Sequence, residues 1–158
     1  MWHAQTMPHA PASRIERRLI DSLYVEAMVL ADEARGYFDD CGRADRDLLA
    51  PLERVSFSCE SLKVTTRLMH VIAWLLTQRA VEAGELRPSE AMDRARRLGE
   101  APVSEPIAIA AFPARARSLI AASIDLHRRT ALLDGARDAP PEATSPARRM
   151  QQKLAGAL

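Results

Sequence analysis

Between Pro51 and Gly84 the chain contains neither proline nor glycine. A helix across that interval is about 50 Å long at 1.5 Å per residue. Pro51 suits its first turn and Gly84 its end. On a wheel of 100° per residue, Val55, Cys59, Leu62, Thr66, Met69, Ala73, Leu76 and Ala80 form one seam. Val64, Leu68, Val71 and Leu75 form a second further round the helix, with Ile72 between them. So wide an apolar arc exceeds what one neighbour covers, which predicts a central helix packed by at least two others. The longest uncharged run in its apolar part, Leu68 to Gln78, falls short of the ~20 residues a membrane span needs.

The remaining arc holds Glu60, Lys63, Arg67, His70, Thr77 and Gln78, the composition of a solvated face, except that Trp74 lies in its middle. Two readings stay open: an indole packed within the monomer, or one covered by a partner. Trp and Arg are over-represented where binding energy concentrates. Arg67, His70, Trp74 and Gln78 are therefore the candidate partner or dimer contact. On this reading Leu76→Asp unfolds the bundle, because Leu76 belongs to a core seam, and Trp74→Ala leaves helicity intact if Trp74 serves an interface.

The rest of the chain supplies the neighbours. With 47% hydrophobic but only 4% aromatic residues, it favours helices over strands. Ser13 and Glu16 form a capping box that starts a helix over Arg14 to Asp39, and "DDCGRAD" reads as its break. Its stripe is Leu19, Leu23, Ala27, Leu30, Ala34 and Phe38. Pro88 and Ser89 open a short helix ending near Leu98 or Gly99, and a proline-punctuated crossover leads to Pro113. A last long helix runs to about Asp134, where Leu119, Leu126 and Leu133 recur at sevens and Gly135 serves as stop. The fold class is thus all-α, a three-helix bundle with a long central helix and a short extra one. Residues 1–13 are expected to be a flexible segment, 14–134 the bundle domain, and 135–158 a flexible basic tail. That tail carries four cations against two acids, and Met150 to Leu158 suit a turn or two of helix on a partner.

Chemistry is hard to place on this chain. Lys plus Arg number 22 against 21 Asp plus Glu, so no net field holds a polyanion. Phosphate-loop, nucleophile-elbow, Cys-x-x-Cys and His-Glu-x-x-His patterns do not occur in the sequence. Cys59 and His70, eleven residues apart on one helix, lie about 16 Å apart along its axis and cannot share a metal. His127, in an apolar stripe, reads as a hydrogen-bonded core residue, and Thr65 and Thr66 as packing residues whose hydroxyls return to the backbone. No catalytic, metal or cofactor residue is assigned. Cys41 and Cys59 are expected to be reduced thiols, and the opening residues lack a signal-peptide pattern, so the expected location is the cytoplasm.

The string Glu60-Ser61, Thr65-Thr66-Arg67-Leu68-Met69, Trp74-Leu75-Leu76, Gln78-Arg79-Ala80-Val81 and Gly84-Glu85 closely resembles the spine helix of an alphaproteobacterial family, the regulator of CtrA degradation or RcdA. The match is dense over Glu60 to Leu86, compatible in helix order over Arg14 to Asp134, and weak in both tails. The resemblance implies a dimerising three-helix bundle without enzymatic activity. It implies an adaptor that brings cell-cycle regulators such as the response regulator CtrA to the ClpXP protease, with accessory adaptors at the cell pole. The alternative is a helix-turn-helix-like DNA-binding regulator, because "AGELRPSEAMDRARRLGE" reads as helix, turn, helix with Arg94, Arg96 and Arg97 on the second element. Against it, Glu85 stands where an apolar residue normally follows the turn glycine, and the other arginine pairs scatter their charge.

Overall fold

The computed structural model describes residues 14–138 and 146–156, and the expected Ser13 cap lies outside them. Those residues form helices α1 (Arg14–Gly36), α2 (Gly42–Asp47), α3 (Pro51–Glu82), α4 (Pro88–Ala91), α5 (Pro106–Ile109), α6 (Ala114–Ala136) and α7 (Pro146–Ala155), with no strand among them. No helix of the described residues is long and apolar enough to cross a membrane.

α1 and α6 pack along α3 and against each other, which makes α3 the spine of a three-helix bundle. Arg79 meets Asp21 at 3.8 Å while Ala34 and Leu68 share one groove, so α1 runs antiparallel to α3. α6 runs parallel to it, since Phe57 stacks on Phe112 at one end and Trp74 bonds Asp134 at the other. Ile20, Leu23, Ala27, Leu30 and Ala34 of α1 fill the core at spacings of three and four. Ala116, Leu119, Ile120 and Leu126 do so from α6.

α3 begins where Pro51, lacking an N–H, occupies a position that has no helical acceptor to lose, and Glu53 reaches back to the Ala50 amide at 3.2 Å. It stops at Gly84, whose φ of 75° turns the chain so that the Glu85 and Leu86 amides close on the Ala80 carbonyl.

The expected break after α1 is replaced by continuing helix. Tyr37–Cys41 forms one π-helical turn that runs straight into α2. The wider turn swings both Tyr37 and Phe38 inward, where they meet Phe57 at centroid distances of 6.3 and 5.4 Å. Tyr37 donates to Asp45 at 2.8 Å, and burial followed by that bond pushes its phenol well above the usual tyrosine range. The short helix expected over 88–98 is also shorter than its pattern: α4 has four residues, and Arg94–Arg96 is a single 3-10 turn. No second helix of helix-turn-helix length forms there, which removes the element on which the DNA-binding reading rested. α6 continues past Gly135 to Ala136.

Candidate functional site

Glu60, Lys63, Arg67, His70, Trp74 and Gln78 recur on α3 at spacings of three and four, the spacing of a core stripe, and the structure treats them as one. Arg67 is 0% exposed and Trp74 1%. Glu60 and Gln78 are buried with them, and His70 is half-buried. What covers them is the chain's own crossover. Residues 99–104 run alongside without helical hydrogen bonds of their own, and Pro102 brings no N–H, so successive carbonyls face outward as acceptors.

The side chains of α3 and α6 supply the donors. Lys63 Nζ donates to the Val103 carbonyl at 2.8 Å and to Glu60 at 2.9 Å. One Arg67 nitrogen donates to the Pro102 carbonyl at 2.8 Å and to Ser104 Oγ at 2.5 Å, and the other reaches Ser123 Oγ at 3.3 Å. Ser104 Oγ in turn donates to Glu60, so that Lys63, Glu60, Ser104 and Arg67 form one hydrogen-bonded chain. His70 Nδ1 lies 3.0 Å from the Glu100 carbonyl and His127 Nε2 lies 2.8 Å from that of Gly99. Because a carbonyl only accepts, each of those ring nitrogens carries the hydrogen. A Cβ on Gly99 would sit 2.6 Å from His70 Nδ1, so only glycine lets the crossover come this close to the ring.

A second clamp holds the end of α6. Trp74 Nε1 donates to Asp134 Oδ1 at 2.8 Å, and Arg97 Nε donates to the same oxygen at 2.8 Å. Arg97 also forks onto both oxygens of Asp138 at 2.7 Å. These bonds raise the Arg97 guanidinium's affinity for its proton, and the fork holds the Asp138 carboxyl below the usual carboxylate range. Arg67 moves the other way: burial lowers it, and Glu60 offsets only part of that. Its Nε has no hydrogen-bond partner among the described residues, a residual cost of keeping a guanidinium inside.

Of the expected partner surface, Arg67 and Trp74 are fully buried and bonded within the chain, His70 is half-buried on the Glu100 carbonyl, and Gln78 is buried without a hydrogen bond to the described residues. The solvated reading failed because hydropathy ignores acceptors: these donors are buried where a stretch of unpaired carbonyls meets them. Sequence reasoning missed Glu60, Ser104, Arg97 and Asp134 as members of the network, although the core-like spacing of the polar residues on α3 was the available signal. His127 is the hydrogen-bonded histidine expected, and Thr65, Thr66 and Thr77 return their hydroxyls to carbonyls one turn back.

The converse holds further round α3, opposite the buried seam of Val64, Leu68, Val71 and Leu75. Val55, Cys59, Leu62, Met69, Ala73 and Leu76 are exposed, Leu62 by 68%, Met69 by 64% and Leu76 by 47%. Leu76 is thus not a core residue, and the unfolding expected of Leu76→Asp loses its basis. With half-buried Thr66 and Ala80 the seam steps alternately by four and three, the a and d spacing of a helix that receives a partner helix. α1 and α6 occupy the other half of α3 and leave this seam open.

Over residues 12–158 the chain matches the family model described as a protein of unknown function, DUF1465. No curated protein matches it. Among solved structures it is similar to RcdA from Caulobacter crescentus, with 34% sequence identity, a TM-score of 0.60, and coverage of 73% of this chain and 88% of that one. The chain belongs to this RcdA-like family.

Proposed function

We propose that the protein is a non-enzymatic adaptor whose working surface is the open seam of α3. The observation that carries this reading is the inverted spine: its polar face is consumed internally while a heptad-spaced apolar seam is left to solvent. Contiguous exposed apolar surface on a folded helix marks an interaction site. In the first instance a second copy covers the seam, giving a homodimer in which two spine helices pack knobs into holes. The similarity to RcdA supports the finer assignment, delivery of cell-cycle regulators such as a CtrA-like response regulator to ClpXP together with accessory adaptors. The expected setting is the cytoplasm, concentrated at the cell pole.

The test is capture from native lysate on the wild-type chain and on Leu62→Asp/Met69→Asp. The reading expects ClpX, an accessory adaptor or a response regulator on the wild type and its loss from the variant. Failure of the wild type to enrich any component of the protease system contradicts it.

A further inference from the structure

The short carboxyl-terminal helix α7 has no assigned role, and its apolar side is bare: Met150 and Leu154, one turn apart, are 69% and 68% exposed. Its sequence carries Arg148, Arg149 and Lys153 and no acid, a formal +3. A helix of this kind binds an apolar groove with an acidic rim. Three grooves on the bundle differ in sign. The one lined by Arg35 and Asp39 is neutral, and the one lined by Arg46, Arg54 and Asp47 is positive. The third, between α1 and the last turns of α3, sets Asp21, Glu82 and Glu85 against Arg79, three carboxylates to one guanidinium.

That third groove suits a helix in other respects. Leu76, Ala80 and Ala83 line it, so small side chains permit close approach beside one large apolar contact. It lies at the carboxyl end of a 32-residue helix, where the macrodipole favours cations. Asp21 and Glu82 already meet Arg79 and Arg17 at 3.8 and 3.4 Å, while the Glu85 carboxylate has no partner among the described residues. The groove is also within reach. The Trp74–Asp134 bond puts the end of α6 beside the last third of α3, and Ala80 lies six residues, about 9 Å, further along and round the helix, whose diameter is about 10–12 Å. Asp138 and Pro146 are eight residues apart in sequence, a separation that a chain can bridge over at most about 27 Å.

We propose that α7 is a tethered latch that docks, in its own chain, into the groove over Leu76, Ala80 and Ala83, its formal +3 charge complementing the acidic rim of Asp21, Glu82 and Glu85. Because the groove contains the last residues of the open seam, a docked α7 keeps a partner helix from those turns. That consequence rests on the adaptor reading, whereas the docking does not.

The experiment uses the full chain with both exposed cysteines replaced, Cys41→Ser and Cys59→Ser, and a nitroxide placed at Gln151→Cys. Amide signals of Leu76, Ala80 and Ala83 are expected to lose intensity, and to regain it in Glu82→Lys/Glu85→Lys and in about 1 M salt, where the Debye length is about 3 Å. Undiminished signals at those amides overturn the proposal. So does equal loss in a mixture where nitroxide and isotope sit on different copies, because the occupant is then a second chain. If broadening is absent while capture of protease components succeeds, the latch falls and the adaptor stands; broadening without capture gives the reverse.

Discussion

The two sides of α3 invert the usual relation between polarity and burial. On one, a lysine, an arginine, a histidine and a tryptophan lie against the crossover and the end of α6, the arginine and tryptophan fully buried. On the other, valine, leucine and methionine stand in water. The polar side is buried because the crossover offers carbonyls at 99, 100, 102 and 103, each with a donor directed at it. The apolar side is exposed because two neighbours subtend only half of a helix. A side chain's place follows from which partner groups reach it, and its hydropathy alone does not decide.

If the polar side is internal, its variants must act on stability. The largest effect is expected for Trp74→Ala, which empties a fully buried site and removes one of the two donors on Asp134 Oδ1, at about 3–5 kcal/mol. Thermal melting followed by circular dichroism reads it, and an unchanged midpoint would return Trp74 to an interface. Arg67→Met keeps the apolar stem but leaves the Pro102 carbonyl and the Ser104 and Ser123 hydroxyls without their donor, an expected loss of about 1–3 kcal/mol. Gly99→Ala drives a methyl against the His70 ring and is expected to cost about 1 kcal/mol, with faster amide exchange confined to the crossover.

The seam predicts the opposite behaviour. Leu76→Asp is expected to change monomer stability by about 0.5 kcal/mol or less, since the position is already wet, while abolishing partner binding. The smallest effect belongs to Asp138→Asn at the rim of the second clamp. Arg97 depresses that carboxyl in the folded state, so its contribution is present above the unfolded carboxylate range and is lost as pH falls through the folded value. Melting curves of wild type and variant should therefore differ at neutral pH and converge in acid.

Much of this architecture was legible in the sequence. Pro51 and Gly84 bounded the spine to within two residues of where it ends, and the α1 stripe placed four of its five core residues, Leu23, Ala27, Leu30 and Ala34. The break after α1 was misread because "DDCG" is a turn-like composition. The aromatic pair Tyr37 and Phe38 just before it gains more from a wider turn that buries Tyr37 and packs half-buried Phe38 on Phe57 than from a loop. The site was legible in its residues but not in its sense. Arg67, His70, Trp74 and Gln78 were singled out together, yet whether a donor stripe faces solvent, a partner or its own chain depends on where the crossover runs. Neither the periodicity of α3 nor that of α6 encodes that path. For the seam, periodicity grouped the residues but expected neighbours to pack them, whereas Val55, Leu62, Met69 and Leu76 are exposed.

The most direct test of the inverted spine is sedimentation and circular dichroism on Leu62→Asp/Met69→Asp beside the wild type. The account predicts a wild-type dimer and a variant that sediments as a monomer with unchanged helicity. A variant that unfolds, or a wild type that is monomeric at every concentration with the seam free, would contradict it.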